Sequence, residues 1–226
     1  MNIIDLSKDI RKEFNKVRQE IGHIAKDMTK GLAEETKKDL ISVHEQIINN
    51  FSLKVNKNER ICLYGESGCG KTTVLKIISG LIIPQSGSVN LPSKISYVFQ
   101  EDRLIPNLSV LKNLTLFLQK DKKELAGKLI KQAGLAEFIN KKPDQLSGGM
   151  KRRLAIIRAI AFDGDALLLD EPFNGLDIDN KILMSDLIKK AFTDKNKPVI
   201  MVSHVNEDIE ILDAKKVNLE YYRNAQ

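Results

Sequence analysis

The chain has 226 residues, of which 42% are hydrophobic and 29% charged, and a formal net charge of +6. This composition is typical of a globular protein with a sizeable core and excludes a disordered or fibrous chain. No apolar run approaches the roughly 20 residues of a membrane-spanning helix, and the charged first residues do not fit a signal peptide. A cytoplasmic location is therefore expected, and a membrane role would require a partner.

The first part of the chain shows helical periodicity. Between residues 3 and 28, apolar side chains recur every three or four positions and charged residues of both signs occupy the opposite face. This pattern predicts an amphipathic helix that ends near Gly31, within an N-terminal extension over residues 1–40. Two interpretations stay open, a helix that packs on its own domain and a helix that docks onto a partner.

Beyond residue 50, short apolar runs alternate with helical stretches. Four of them, at 61–64, 95–99, 166–169 and 199–202, predict buried strands of a parallel sheet. Each predicted strand is followed directly by residues that can bind a ligand or take part in catalysis, namely Gly65, Gln100, Asp170-Glu171 and Ser203-His204. Because ligands of open α/β sheets bind outside the carboxyl ends of the strands, these residues are expected to meet at one edge.

The first of these motifs is GESGCGKT at 65–72, which matches the phosphate-binding loop G-x-x-x-x-G-K-[ST]. Its glycines allow backbone N–H groups to surround a polyphosphate, and the helix that follows directs its positive dipole end at the same anion. The predicted nucleotide-binding residues are Gly65, Glu66, Ser67, Gly68, Cys69, Gly70, Lys71, Thr72 and Thr73. The two cysteines, Cys62 and Cys69, form no disulfide or metal-ligand framework and are expected to be free thiols.

Two carboxylates follow the third predicted strand. Burying such a pair is costly without a cation or a hydrogen-bond partner. Asp170 is predicted to hold Mg²⁺ together with the Thr72 hydroxyl, and Glu171 to act as the general base that deprotonates the attacking water.

A second glycine-rich turn, LSGGM at 146–150, opens another predicted helix that runs to about residue 161. The cations that follow at 151–153 oppose the dipole of that helix, a conflict that an arriving anion would remove. With this turn the sequence strongly resembles the ATP-binding cassette family, whose signature is LSGGQ, and Met150 stands in place of the glutamine. The resemblance covers about residues 47–212. It includes Gln100 of the Q-loop, the D-loop at 174–177 and the switch histidine His204.

The resemblance implies an α/β fold of the P-loop NTPase type. Its parts would be a parallel central sheet, a small antiparallel β-subdomain, a helical signature subdomain over about 101–160 and the additional N-terminal helix, with the cassette domain at 41–226. It also implies ATP and Mg²⁺ as ligands and a head-to-tail pair of cassettes, expected to be a homodimer. In such a pair Ser147, Gly148 and Gly149 would contact the ATP held by the second copy. Asp177 would couple the two sites.

The remaining site residues follow from the same resemblance. His204 would contact the γ-phosphate within its own subunit, and Gln100 would sense both Mg²⁺ and the nucleophilic water. Catalysis is thus assigned to Glu171, His204 and Gln100, and metal binding to Thr72, Gln100 and Asp170.

Partners also follow from the resemblance. The segment EDRLIP at 101–106 is similar to that of importer cassettes for nitrate, sulfonates and taurine. This predicts a subunit that energises solute import and lies on the inner face of the membrane, with the region 110–145 docked onto a permease. An extracytoplasmic solute-binding protein would act through that permease.

Two departures from the family pattern stand out. The zone 41–46, where an aromatic residue usually stacks on adenine, offers only His44 as a substitute. Met150 lacks the side-chain amide of the usual glutamine, although the Ser-Gly-Gly donors remain.

Other functions stay open from the sequence. A soluble cassette that acts on nucleic acid is one alternative, although only residues 73–145 separate the two glycine motifs, too few for the long coiled coil of repair ATPases. An assembly or scaffold protein that binds ATP with little turnover is another, and the presence of Glu171 argues against it.

Overall fold

A computed structural model describes residues 51–84, 86–90, 92–116, 118 and 123–219. The predicted N-terminal helix, the extension 1–40 with its boundary, and His44 lie outside these residues.

The described part of the chain is built on one five-stranded sheet. Its strands are β1 (Arg60–Tyr64), β2 (Ile95–Val98), β3 (Ala166–Asp170), β4 (Val199–Val202) and β5 (Lys215–Asn218). They lie in the order β2-β3-β4-β1-β5, and every pairing is parallel. The predicted parallel sheet is confirmed, with strand ends within one residue of those expected. The antiparallel β-subdomain that the resemblance implies has no counterpart among the described strands.

Both faces of the sheet are covered, which explains the uninterrupted apolar runs. In β3, Leu167 and Leu169 face the larger core cluster, whereas Leu168, between them, faces the smaller one. β4 divides in the same way, with Met201 on one side and Ile200 on the other. A strand with this arrangement shows no polar alternation, because neither of its faces meets water.

Six α-helices connect and cover the strands in the described residues. They are α1 (Lys71–Ile78), α2 (Val110–Thr115), α3 (Lys123–Gln132), α4 (Gly148–Phe162), α5 (Ile178–Ala191) and α6 (Asn206–Leu212). Ser147 caps the N-terminus of α4 and Asp177 that of α5, and the side chain of each accepts a hydrogen bond from the backbone N–H three residues later. The predicted helix after the signature turn is confirmed. The helix after the phosphate loop, expected from the sequence at 73–79, begins two residues earlier, at Lys71.

Asn113 fixes the loop that leads into α2. Its side chain is fully buried, accepts from the Ile105 N–H, and donates to the carbonyls of Ile105, Leu108 and Ser109. All of its polar capacity is thus used inside the protein, as a buried amide requires. Within the described residues, no helix combines the length and the apolar character that crossing a bilayer requires.

Candidate active site

The phosphate loop lies between β1 and α1. Gly68 and Gly70 have φ values of 82° and 96°, which glycine adopts without steric cost. Lys71 is only 8% exposed, and its Nζ donates to the carbonyl oxygens of Gly65 (2.8 Å) and Glu66 (2.7 Å). The loop therefore curls around a buried cation at the N-terminus of a helix, where an anion is doubly favoured.

Thr72 and Asp170, two of the predicted metal ligands, lie together at the edge of the sheet. The Thr72 hydroxyl donates to Asp170 Oδ1 over 3.1 Å, which joins the start of α1 to the end of β3. Asp170 is 2% exposed, and burial raises the pKa of its carboxyl while the Thr72 hydrogen bond lowers it. A divalent cation at this position would relieve the cost of the buried charge.

The second candidate pair consists of Glu171 and His204. Glu171 Oε1 lies 3.0 Å from His204 Nδ1. The Glu171 backbone has a φ of 47°, a conformation that costs a non-glycine residue about 1 kcal/mol or more. Its N–H donates to the Val202 carbonyl over 2.9 Å, so the neighbouring strand holds the carboxylate at this edge.

Gln100 is exposed and follows β2, on the same edge of the sheet. Its backbone is connected to the end of β3 through Arg152 of α4, one of the three cations at 151–153, to which the sequence assigned no contact with these strands. The Arg152 guanidinium donates to the carbonyls of both Gln100 (3.2 Å) and Glu171 (2.6 Å). The conflict expected between the cations and the α4 dipole is thus resolved for this residue inside one chain, by carbonyl oxygens rather than by an arriving anion.

The signature turn lies against the D-loop. A Cβ placed on Gly149 would stand 3.5 Å from both the Gly175 carbonyl oxygen and the Leu176 side chain. Ser147 and Asp177 are exposed, and the contacts given above make each a helix cap.

Met150 packs against the main core, so an apolar side chain suits the position that a glutamine usually occupies. The departure at this position is therefore compatible with the fold.

A buried ionic network, also missed from the sequence, joins α5 to the segment after His204. Lys181 Nζ lies 2.8 Å from Asp208 Oδ1, and Asp208 Oδ2 accepts from the Ser203 hydroxyl over 3.1 Å. The hydrogen bonds that Lys181 donates to Asp208 and Glu207 raise the pKa of Lys181. The helix that Asp177 begins is thereby tied to the loop that carries the switch histidine.

A parallel sheet with a phosphate loop, an adjacent aspartate and glutamate, and a histidine at its carboxyl edge defines a P-loop nucleotide hydrolase. The family model described as "ABC transporter" matches residues 48–174. The chain belongs to this family of ATP-binding cassettes, and the predicted family membership, P-loop fold and ATPase activity are confirmed.

Individual relatives agree with this assignment. The chain is 35% identical over 184 residues to the bicarbonate transport ATP-binding protein CmpD of Synechocystis, covering 74% of this chain and 65% of CmpD. It is 36% identical over 171 residues to the aliphatic sulfonates import ATP-binding protein SsuB 1 of Paracoccus denitrificans, covering 74% of this chain and 71% of that protein. The chain thus spans about two thirds of the length of these two curated relatives.

A solved structure shows the same architecture. The dimeric ATP-binding cassette MJ0796, in a post-hydrolysis state with ADP and Pi, matches with a TM-score of 0.68 and 30% identity. The match covers 76% of this chain and 85% of that one. This chain is an ATP-binding and ATP-hydrolysing cassette, and the solved cassette that it resembles is a dimer.

Proposed function

We propose that this ATPase energises the import of a small solute through a membrane permease, working as a head-to-tail pair of identical cassettes. The hydrolysis that drives import is supported most by the convergence of the phosphate loop, the Thr72–Asp170 pair and the Glu171–His204 pair at one edge of the sheet. Phosphoryl transfer to water depends chiefly on positioning and charge stabilisation. These residues can supply both.

The residues divide the chemistry between them. The oxygens of Thr72 and Asp170 are hard donors at a spacing that suits Mg²⁺, with the phosphates supplying further ligands, and Gln100 is the third proposed metal ligand. Mg²⁺, when bound, neutralises charge on the β- and γ-phosphates. Glu171 accepts the proton of the attacking water, and His204 orients the Glu171 carboxylate and contacts the γ-phosphate.

A second copy completes the site. The signature turn exposes Ser147 and Gly148 at the N-terminus of a 15-residue helix, and the N–H groups of such a terminus favour a phosphate. We place this turn against the γ-phosphate that the other copy holds, and Asp177 at the contact between the two sites. The dimeric state of the solved cassette with ADP and Pi supports the pairing of two copies.

An apolar groove supports the permease as partner. Its volume is about 470 Å³. It lies beside the strand that leads to Gln100, and the residues lining it include Leu81, Tyr97, Phe99, Arg103, Leu114 and Arg158. Leu81 is 59% exposed, and the next two residues, Ile82 and Ile83, are exposed as well. Neighbouring exposed apolar residues of this kind mark a surface that a partner covers. The occupant that we propose is a short permease helix with apolar side chains and an acidic group that faces the two arginines.

The proposed import role implies that the chain lies in the cytoplasm, on the inner face of the membrane. Any extracytoplasmic solute-binding protein would then contact only the permease. The relatives named above are transport proteins, so a role on nucleic acid is not favoured.

Membrane fractionation of the native host tests the partner. Leu81→Asp is expected to release the protein from membranes while the purified variant keeps its ATPase activity. Val89→Asp is the matched control, because Val89 is 40% exposed and does not line the groove. Membrane association that survives Leu81→Asp, or that Val89→Asp abolishes equally, contradicts the proposed docking.

A further inference from the structure

Arg152 connects two catalytic segments that the sequence separates by about 70 residues. It lies in α4, five positions after the signature serine, and is 3% exposed. Its guanidinium donates to the carbonyl oxygens of Phe99 (2.6 Å), Gln100 (3.2 Å), Asp170 (2.8 Å), Glu171 (2.6 Å) and Pro172 (2.8 Å). One side chain thus binds the end of β2 and the end of β3 at once.

Most hydrogen bonds of the Arg152 guanidinium go to backbone carbonyls. The nearest carboxylate, that of Asp102, lies 3.4 Å from Nη1 and belongs to the segment that follows Gln100. Burial lowers the pKa of the Arg152 guanidinium, and Asp102 raises it. Burying a cation in this way is costly unless each N–H finds an acceptor, which the fork of an arginine can do and a lysine cannot.

The contacts fall where backbone geometry matters most for hydrolysis. Glu171 holds a left-handed conformation, with a φ of 47°, that its surroundings must impose. Arg152 binds its carbonyl and those on either side, so the guanidinium constrains the backbone on which the proposed base stands. Because the same guanidinium holds Gln100, a shift of α4 relative to either segment must disturb both.

We infer that Arg152 is a positioning residue for ATP hydrolysis, one that holds the Glu171 and Gln100 backbones in their reactive arrangement from the signature helix of the same chain. Through it, a movement of the signature helix reaches the base without any contact between Arg152 and ATP. The inference rests on the proposed role of Glu171.

Steady-state ATPase kinetics of the full chain test this positioning role. Arg152→Lys keeps the charge but removes the fork, and kcat is expected to fall about 10-fold or more, since small displacements of a catalytic group are costly. The KM for ATP should stay within about twofold, because Arg152 does not touch the phosphate loop. Arg153→Lys is the matched control, since Arg153 donates to the Ala133 carbonyl, away from Glu171, and should keep kcat within about twofold.

A second readout separates positioning from general stability. If Arg152 acts through Glu171, then Arg152→Lys should change the residual single-turnover rate of Glu171→Gln by less than about twofold, because effects that share one step are not additive. A full 10-fold further loss in that background overturns the inference, as does wild-type kcat in Arg152→Lys alone. Should Arg152→Lys fail to fold, Arg152→Gln takes its place, and failure of both variants to fold assigns Arg152 to stability and overturns the positioning role.

The same variants distinguish a wrong assignment of Glu171 as the base from a wrong assignment of Arg152 as its positioning residue. If Glu171→Gln itself hydrolyses ATP like the parent, the proposed base is wrong. If Glu171→Gln is inactive and Arg152→Lys is fully active, only the positioning role is lost.

Discussion

His204 Nδ1 lies 3.0 Å from Glu171 Oε1, although 33 residues separate the two along the chain. The sheet brings them together. β3 and β4 are adjacent and parallel, with Asp170 in register with Val202, so the residues that follow both strands emerge side by side. The pairing is therefore a direct result of strand register, and it places a carboxylate and an imidazole where a γ-phosphate and its attacking water are proposed to lie.

Replacing His204 tests this pairing. His204→Ala removes the group that holds the Glu171 carboxylate, and kcat is expected to fall about 10- to 100-fold with ATP affinity within a few-fold of the parent. Turnover and fluorescent-nucleotide binding measure the two quantities. His204→Gln, which can still donate to the carboxylate, should lose less. Equal kcat in His204→Ala and the parent would show that the contact has no catalytic role.

Asp170 gives a prediction that depends on pH. The pKa of its carboxyl in the folded protein is raised above 3.8, chiefly by burial. At pH values above this raised pKa the carboxyl is ionised, and its buried charge destabilises the nucleotide-free protein. The stabilising effect of the neutral form is present at low pH and is lost as pH rises through the raised pKa. Asp170→Asn should therefore raise the melting temperature without nucleotide at neutral pH and abolish Mg²⁺-dependent hydrolysis.

The gain in melting temperature should shrink as the pH falls through the raised pKa and disappear below 3.8, where the parent carboxyl is protonated in both the folded and the unfolded state. A gain that is constant across pH would mean that burial of charge is not its cause. Calorimetric scans of parent and variant over a pH series provide the measurement.

Replacing Gly149 tests dimerisation independently of folding. A Cβ at this position meets only ordinary contacts at 3.5 Å, and alanine is better than glycine inside a helix by about 0.5–1 kcal/mol. Gly149→Ala should therefore fold with unchanged or slightly higher stability. The methyl group should nevertheless hinder close approach of the second copy's γ-phosphate, so ATP-driven dimerisation should weaken. Dimerisation equal to that of the parent would argue against the signature turn as the contact.

Gly164 tests the packing between the end of α4 and β2. A Cβ there would lie 2.5 Å from the Ser96 backbone nitrogen, a clash that only a backbone shift can relieve. Gly164→Ala is expected to destabilise the fold by about 1–3 kcal/mol. Gly127→Ala is the control, because nothing lies within 4 Å of its added Cβ within α3, and it should stabilise by about 0.5–1 kcal/mol. Urea unfolding of both variants gives the comparison.

The sequence predicts the parts of the site that depend on local pattern. An apolar run followed by a special polar residue is enough to place Lys71, Asp170, Glu171 and His204 at one edge, because parallel strands end together. β5 escapes prediction because its sequence KKVN is polar, with a burial pattern that leaves its two lysines exposed. Only its parallel pairing with β1 makes it a strand.

The contacts of Arg152 and of the Lys181–Asp208 pair cannot be predicted from the sequence for a different reason. Nothing in the spacing of a lysine or arginine on a helix tells whether it meets solvent or a distant carbonyl. The contacts of Arg152 span 18 to 53 residues of sequence, and those of Lys181 span 26 and more, so only the packed structure reveals them. The same holds for the apolar groove, whose lining residues come from β2 and from the loops and helices on either side of it.

The most direct test of the ATP-driven pair is the oligomeric state of Glu171→Gln. Without the base, hydrolysis should slow by about 100-fold or more, and bound ATP should keep two copies closed on each other. Analytical ultracentrifugation is predicted to show a dimer with ATP and a monomer with ADP, and Gly149→Ala added to Glu171→Gln should shift the ATP form back toward monomer. A variant that stays monomeric in saturating ATP and hydrolyses it at the parent rate would contradict both the base and the head-to-tail site.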